Sequence, residues 1–186
     1  RARVIGVIPD QIVTETLVCD VGATDGYIES SPARDILKIF VVERHHGSGQ
    51  VGKGLIKGFG LQRGAIASTI AHDSHNIIVV GVRDADIIKA VTAVNKMGGG
   101  IAVVDDEHLL ATLELPIAGL MSDQSLEVVS AHMGALVRAA HSLGVTLKDP
   151  IMTLSFMALP VIPSLKLTDL GLVDVARFEH VDLFLD

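Results

Sequence analysis

Hydrophobic residues recur along this chain with two different spacings. The first spacing consists of short runs rich in Val and Ile, which are typical of buried or half-buried strands. Such runs occur at residues 4–8, 11–18, 36–42, 65–71, 77–80, 101–104, 108–115, 171–175 and 181–185. Pro9 and Asp10 separate the first two runs, which are predicted to form a hairpin or two successive strands.

The second spacing is helical. Residues 85–97 carry five apolar side chains at that spacing and end before Gly98, so they are predicted to form a helix. Two more helices are predicted at residues 124–143 and 151–159, the last one beginning just after Pro150. Strands follow strands as often as they alternate with helices. The order therefore predicts an α/β fold of the α+β kind, a mixed β-sheet with packed helices, and not a doubly wound parallel sheet.

Composition narrows the function classes. The 186 residues are 49% hydrophobic but only 3% aromatic, with no Trp, so the predicted core is aliphatic. A net charge of −7 argues against nucleic-acid binding, which needs clustered Lys and Arg. Cys19 is the only cysteine, which suits a reducing cytoplasm, and no apolar run approaches the ~18 residues of a membrane span. The first residue is Arg1 and not Met, and we expect a fragment of a longer protein.

A polar run interrupts the hydrophobic pattern between residues 65–71 and 77–80. It consists of five consecutive residues, His72, Asp73, Ser74, His75 and Asn76. Loops held by rigid strands are where binding and catalytic groups concentrate. The alternative is that these side chains only shape a turn through hydrogen bonds to the backbone.

Two further imidazoles, His45 and His46, follow the predicted strand 36–42. If the two strand ends are adjacent, four imidazoles could converge with the carboxylates of Glu43 and Asp73, and such groups are good ligands for zinc, manganese or iron. The spacing matches no standard metal motif, however, and a hydrogen-bonded polar seam between strands is the alternative. The glycine-rich run that follows lacks the phosphate-loop pattern.

Longer blocks of the sequence closely resemble the C-terminal part of bacterial and archaeal adenine deaminases, which belong to the amidohydrolase superfamily. The resemblance covers essentially the whole chain. It is carried by ERHHGSGQVGKGLIKGFG (43–60), RGAIASTIAHDSHNIIVVG (63–81), MGGGIAVVDD (97–106), LPIAGLMSD (115–123), DPIMTLSFMALPVIP (149–163) and LKLTDLGLVDV (165–175). One departure is Glu107-His108, where Gly-Lys is more usual.

The resemblance implies hydrolysis of adenine to hypoxanthine and ammonia by a metal-bound hydroxide. In that family a binuclear centre, here expected to hold manganese or iron, lies on a (β/α)₈ barrel whose ligands include an HxH pair. This chain has no HxH and too few β/α units for a barrel. The resemblance therefore implies that the chain alone is inactive. Its expected partners are adenine, the barrel domain of the same enzyme and further copies in a homo-oligomer.

The resemblance also suggests a division of the chain. Residues 1–21 would be the last strands of the small β domain that flanks the barrel, residues 22–35 a linker, and residues 36–186 the C-terminal α/β domain.

Three roles remain open for this domain. One hypothesis is that it completes the active site, with two loops facing the barrel mouth. The others are an architectural or oligomerisation module and a small metal-binding module. The candidate active-site-facing residues are Arg44, His45, His46, His72, Asp73, His75 and Asn76.

Overall fold

The computed structural model describes residues 1–185 and is organised around one eight-stranded sheet. The strands are β1 (Ala2–Val7), β2 (Thr14–Cys19), β3 (Ala23–Thr24), β4 (Tyr27–Ile28), β5 (Ile36–Val42), β6 (Val51–Lys57), β7 (Ala65–Ser68), β8 (Ile77–Gly81), β9 (Gly100–Asp105), β10 (His108–Glu114), β11 (Leu165–Thr168), β12 (Gly171–Asp174) and β13 (Glu179–Val181). The helices are α1 (Asp84–Lys96), α2 (Leu126–Ser142) and α3 (Pro150–Phe156), and a 3₁₀ turn covers Pro32–Arg34.

The large sheet has the order β10-β9-β7-β8-β5-β6-β1-β2. Every neighbouring pair in it is antiparallel except β1 and β6, which are parallel. Strands β11, β12 and β13 form a second, smaller sheet, and β3 and β4 form a short hairpin. The predicted mixed sheet with packed helices is therefore confirmed, and the first two hydrophobic runs form the antiparallel hairpin β1–β2.

Four strands, β3, β4, β6 and β11, are absent from the sequence prediction. The hydrophobic pattern of β6 is diluted by Gly52 and Gly54, so the segment was interpreted as part of a glycine-rich loop. The structure gives a reason for the first glycine. A Cβ at Gly52 would lie 1.8 Å from the carbonyl oxygen of Thr168, so only glycine lets the turn after β11 approach the large sheet this closely.

The two faces of the large sheet carry different coverings. Helices α2 and α3 and the small sheet cover one face, and they bury the larger core cluster through residues such as Leu136, Leu154 and Leu167. Helix α1 covers part of the other face through Ile87 and Val94. The burial is almost entirely aliphatic, as the composition predicted, and burial of this kind is the main favourable term in folding.

The first 21 residues continue the large sheet, because β1 pairs directly with β6. Residues 22–35 contain the β3–β4 hairpin and the 3₁₀ turn. The assignment of residues 1–21 to a separate small β domain of the intact enzyme stays a prediction. Among the described residues, no helix combines the length and the apolar character that crossing a membrane requires.

Candidate functional site

Strand register brings the two predicted polar loops together. Strands β5 and β8 are antiparallel, and Val42 at the end of β5 lies opposite Ile77 at the start of β8. The loop that leaves β5 and the loop that enters β8 therefore lie on the same side of the sheet, where these strands end. We call this the loop edge, and it comprises residues 43–50, 72–76 and 116–121.

Arg44 connects all three segments of the loop edge. Its Nε donates to the carbonyl of His75 over 2.6 Å, and its terminal NH2 group donates to the carbonyl of Ala118 over 2.7 Å. Its backbone N–H donates to Oδ1 of Asn76 over 3.2 Å. The guanidinium also packs against Gly119, where an added Cβ would lie 2.7 Å from a guanidinium nitrogen.

The charge of Arg44 has no carboxylate partner among residues 1–185. Both side-chain hydrogen bonds are to neutral carbonyl groups, and partial burial lowers the pKa of the guanidinium from its usual value. Because a guanidinium offers five N–H donors, the contacts described leave part of its binding capacity unused.

Glu43 shapes the 43–50 loop from inside. Its carboxylate accepts backbone N–H groups from His45, His46 and Ser48 and the hydroxyl of Ser48. The side chain is only 6% exposed. These hydrogen bonds lower the pKa of Glu43 to about 2, and the bond from the Ser48 backbone N–H has the largest effect on it. Glu43 is thus an ionised structural centre of this loop.

The four histidines share the loop edge but do different things. Nε2 of His45 donates to the Ser74 carbonyl over 2.7 Å and so joins the two loops. The His72 ring lies 4.9 Å from the Phe156 ring and 5.5 Å from the His75 ring, measured between centroids. Nδ1 of His75 accepts the Ala71 N–H over 3.3 Å. Burial lowers the pKa of His75, and neighbouring positive charge lowers it further.

Accessibility separates the candidates into three groups. Arg44, His72 and His75 are half-buried. The side chains of His45, His46 and Asp73 are exposed, whereas Asn76 is buried at 3% exposure and is used to hold Arg44. The strand ends are adjacent, as convergence of the imidazoles would require. Within residues 1–185, however, no three His, Cys, Asp or Glu side chains form a set that could hold a metal ion. The residues present therefore do not fit a metal centre, and we assign no metal chemistry to them.

Three features of the site were missed by sequence reasoning. The first is the central place of Glu43, and the second is the 116–121 loop, which Thr69 fixes by donating from Oγ1 to the Gly119 carbonyl over 2.6 Å. The third is Lys166, fully buried behind the site, which donates to the carbonyls of Ile12 and Phe156. Burial lowers the pKa of Lys166 to about 8. A polar residue inside the apolar run 165–167 was the only signal for it.

The opposite edge of the sheet is built from ion pairs, and we call it the ion-pair edge. It comprises Lys38, Arg63, residues 83–86 and residues 105–108. Its pairs are Lys38 with Asp84 at 2.7 Å, Arg63 with Asp105 at 2.8 Å, Arg83 with Asp106 at 2.8 Å, and Arg83 with Asp86 at 3.6 Å.

The β9–β10 hairpin turns at this ion-pair edge. Asp86 is fully buried, and its Oδ1 accepts the backbone N–H of Glu107 over 2.8 Å. Both turn residues have positive φ, 47° at Asp106 and 62° at Glu107. This is the geometry of a type I′ turn, which favours Asn-Gly. Glu107 therefore has a strained backbone conformation, and it stands at the position where Gly is more usual in the family.

The fold and the loop edge define a class, a mixed-sheet domain that presents Arg, His and Asp side chains from loops at one edge. Comparison with known proteins gives the particular family. Residues 11–179 match the adenine deaminase C-terminal domain, and the chain belongs to that family.

Several curated proteins named adenine deaminase are similar to this chain. The one from Desulfatibacillum aliphaticivorans is 56% identical over 184 residues, which are 99% of this chain and 32% of that protein. Adenine deaminase 2 of Carboxydothermus hydrogenoformans is 55% identical over 186 residues, 100% of this chain and 33% of that protein. The protein from Methanothrix thermoacetophila is 53% identical over 184 residues, 99% and 32% respectively. The chain thus spans about a third of the length of these relatives.

Proposed function

We propose that this chain is the C-terminal part of an enzyme that hydrolyses adenine to hypoxanthine and ammonia. The observation that carries the proposal is identity of 53–56% to three proteins named adenine deaminase over essentially the whole chain. The chain alone is expected to be inactive, because it has no HxH pair and too few β/α units for the barrel that carries the metal ligands in that family.

The remaining features of the intact enzyme follow from the same proposal. It would be a cytoplasmic, metal-dependent hydrolase of the amidohydrolase superfamily that works in purine salvage. Its binuclear manganese or iron centre would lie on the (β/α)₈ barrel domain, which is the expected partner of this chain within the same polypeptide. Further copies would associate as a homo-oligomer. A metal at the centre would lower the pKa of a bound water and stabilise developing charge on the purine ring.

For the domain itself we propose that the loop edge faces the catalytic site. The exposed side chains of His45, His46 and Asp73 support this, as does the charge of Arg44, which has no carboxylate partner among residues 1–185. Half-buried charges in domains are usually paired, because an unpaired one costs free energy. A guanidinium held rigidly by two carbonyls has the geometry of a group that awaits an acceptor from outside the domain.

The test compares two exposed histidines in the intact enzyme. His45 donates to a carbonyl over 2.7 Å at the loop edge, and His108 makes the same kind of bond over 2.6 Å at the ion-pair edge. His45→Ala should lower kcat/KM for adenine about tenfold or more, the loss typical of residues that support a metal site from its surroundings. His108→Ala should leave it unchanged, and both should have nearly the same melting temperature.

Asp73→Ala is the second variant in this test, because Asp73 is exposed and its loss should not change folding. If His45→Ala and Asp73→Ala both keep the turnover of the unmodified enzyme per folded molecule, the loop edge does not face the catalytic site. If the unmodified intact enzyme does not hydrolyse adenine, the proposed reaction itself is wrong.

A second candidate role is architectural, as a domain that stabilises the catalytic part or the oligomer. It is favoured by one observation, an apolar groove on the α1 side of the sheet, and the two roles are compatible.

A further inference from the structure

An open groove of about 560 Å³ lies on the α1 face of the large sheet. Helix α1 covers β7, β8, β9 and part of β10 and forms one wall of the groove. Residues of the β3–β4 hairpin contribute to the opposite wall. Strands β5 and β6 and the neighbouring part of β8 form the groove floor. Its floor includes Phe40, Val51 and Val79, and its walls include Ile88, Tyr27 and Phe184.

The two faces of β5 show how incomplete this covering is. Ile39 and Val41, which point to the α2–α3 face, are fully buried. Phe40 and Val42, which point into the groove, are only half-buried. Around them Ile88 is 65% exposed, Tyr27 78% and Phe184 56%. A contiguous exposed apolar surface of this kind marks an interaction site.

The chemistry of the groove favours a protein occupant. Its volume is within the range of small-molecule sites, but such sites carry a few convergent polar groups that fix a ligand. The charged groups that line this groove are Asp84 and two lysines on the floor strands: Lys38, which is 13% exposed and pairs with Asp84 over 2.7 Å, and Lys53, which lies opposite Phe40 and is exposed. The rest of the floor is apolar, so the matching surface should be mainly aliphatic and aromatic side chains from a packed element.

The length of the relatives identifies which protein that is. This chain matches a C-terminal domain and covers only about a third of the relatives, so about two thirds of their length lies outside the match. The Arg1 carbonyl accepts the N–H of Leu185 over 3.0 Å, and Ala2 bridges to Phe184 in the groove wall. A domain of the same polypeptide has a high effective concentration over the groove.

We propose that the linked catalytic domain of the intact enzyme docks in this groove. The inference rests on the chain being part of a longer enzyme, and it does not depend on the role of the loop edge. The groove floor ends at the pair Val42 and Val51, from which the 43–50 loop departs. A catalytic domain seated in the groove therefore lies beside that loop, and a single docking contact positions the loop edge.

Thiol labelling of the intact enzyme tests this docking site. In a Cys19→Ser background, Ile88→Cys introduces a thiol on the groove wall, and Leu126→Cys introduces one at the start of α2 on the other face, where the native side chain is 79% exposed. Leu170→Cys, in the β11–β12 turn at 62% exposure, is a second control. Peptide mass spectrometry measures the rate of thiol labelling at each introduced cysteine. The labelling rate of the native enzyme is divided by the rate of the same site in urea.

We expect the native rate at Ile88→Cys to be slowed at least tenfold relative to urea, with little slowing at the two controls. This slowing should persist when the enzyme is diluted until it is monomeric by light scattering. Two results would overturn the proposal: full reactivity at Ile88→Cys, which shows an open groove, or protection that disappears on dilution, which shows that a second copy covers it. Adenine turnover of the same variants is measured separately, so failure of docking is distinguishable from failure of the proposed reaction.

Discussion

The two edges of the large sheet hold charged side chains in opposite ways. At the ion-pair edge the basic groups of Lys38, Arg63 and Arg83 all meet carboxylates within the described chain. At the loop edge the guanidinium of Arg44 donates, within the described chain, to carbonyl oxygens and not to carboxylates, and Asp73 is exposed. The charges of the first edge are used inside the domain, whereas those of the second are held in position but not neutralised.

Whether a polar side chain is paired within the domain distinguishes residues that stabilise the fold from residues available for binding. The number of polar residues does not make this distinction. Buried polar groups that are fully partnered stabilise one arrangement of the chain, and breaking them costs stability. Rigid groups with unused donors suit binding to something outside the domain. The comparison predicts that variants at the ion-pair edge change stability, and that variants at the loop edge change function or the order of a loop.

The largest expected effect is at Asp86. Asp86→Ala removes a fully buried carboxylate that accepts the Glu107 N–H and neighbours Arg83, and it leaves this part-buried hydrogen bond unmade. The free energy of unfolding should fall by about 1–3 kcal/mol. The measurement is urea denaturation of the intact enzyme followed by a probe in this domain.

Asp84→Ala is the matched control, because Asp84 forms an ion pair at the same edge but its side chain is 66% exposed. Exposed pairs contribute about 0–1 kcal/mol. Equal losses for the two variants would show that the buried contact at Asp86 has no special weight.

A smaller and opposite effect is expected at Glu107. Its φ of 62° is in the left-handed region, where a side chain is strained and glycine is not. Glu107→Gly keeps the backbone N–H that Asp86 accepts, and it should raise the free energy of unfolding by about 0.5–1 kcal/mol. Thermal denaturation measures this, with Glu114→Gly in β10 as a control that should destabilise. A lower melting temperature for Glu107→Gly would rule out strain at this turn.

The smallest effect is a pH dependence at the loop edge. Because hydrogen bonds lower the pKa of Glu43 from 4.5 to about 2, its ionised form stabilises the folded loop above pH 4.5. That contribution is lost as the pH falls from about 4.5 towards 2. The difference in melting temperature between the unmodified protein and Glu43→Gln should therefore shrink over this window. A difference that stays constant down to pH 2 would mean that the carboxylate does not hold the 43–50 loop.

Local patterns in the sequence carried much of the fold. Strand β5 was predicted at its observed bounds, because six of the seven residues 36–42 are apolar and polar segments flank them. Helix α1 was predicted within one residue at each end, because acidic residues lie in its first turn and glycine follows its last. Strand β6 failed for the converse reason: its glycines allow a distant turn to approach, and that requirement comes from packing and not from local preference.

The candidate site divides along the same line. The two polar loops were recognisable from composition, since five polar residues in succession are conspicuous between apolar strands. Their adjacency depended on the β5–β8 pairing, and the contact of Arg44 with Ala118 joins residues 74 positions apart. Glu43 was considered as a ligand, but its two oxygens are occupied by the backbone and hydroxyl of its own loop. No local pattern distinguishes these outcomes.

The position of Tyr27 has a spectroscopic consequence. The chain contains one tyrosine and no tryptophan, and the ring of this tyrosine stands in the groove wall at 78% exposure. Tyrosine emission from this domain therefore arises from a single ring on the surface proposed for docking. Replacing Tyr27 with tryptophan would place one selectively excitable fluorophore there within the domain, without an internal background. Its quenching by acrylamide would follow, in real time, how far the groove is open.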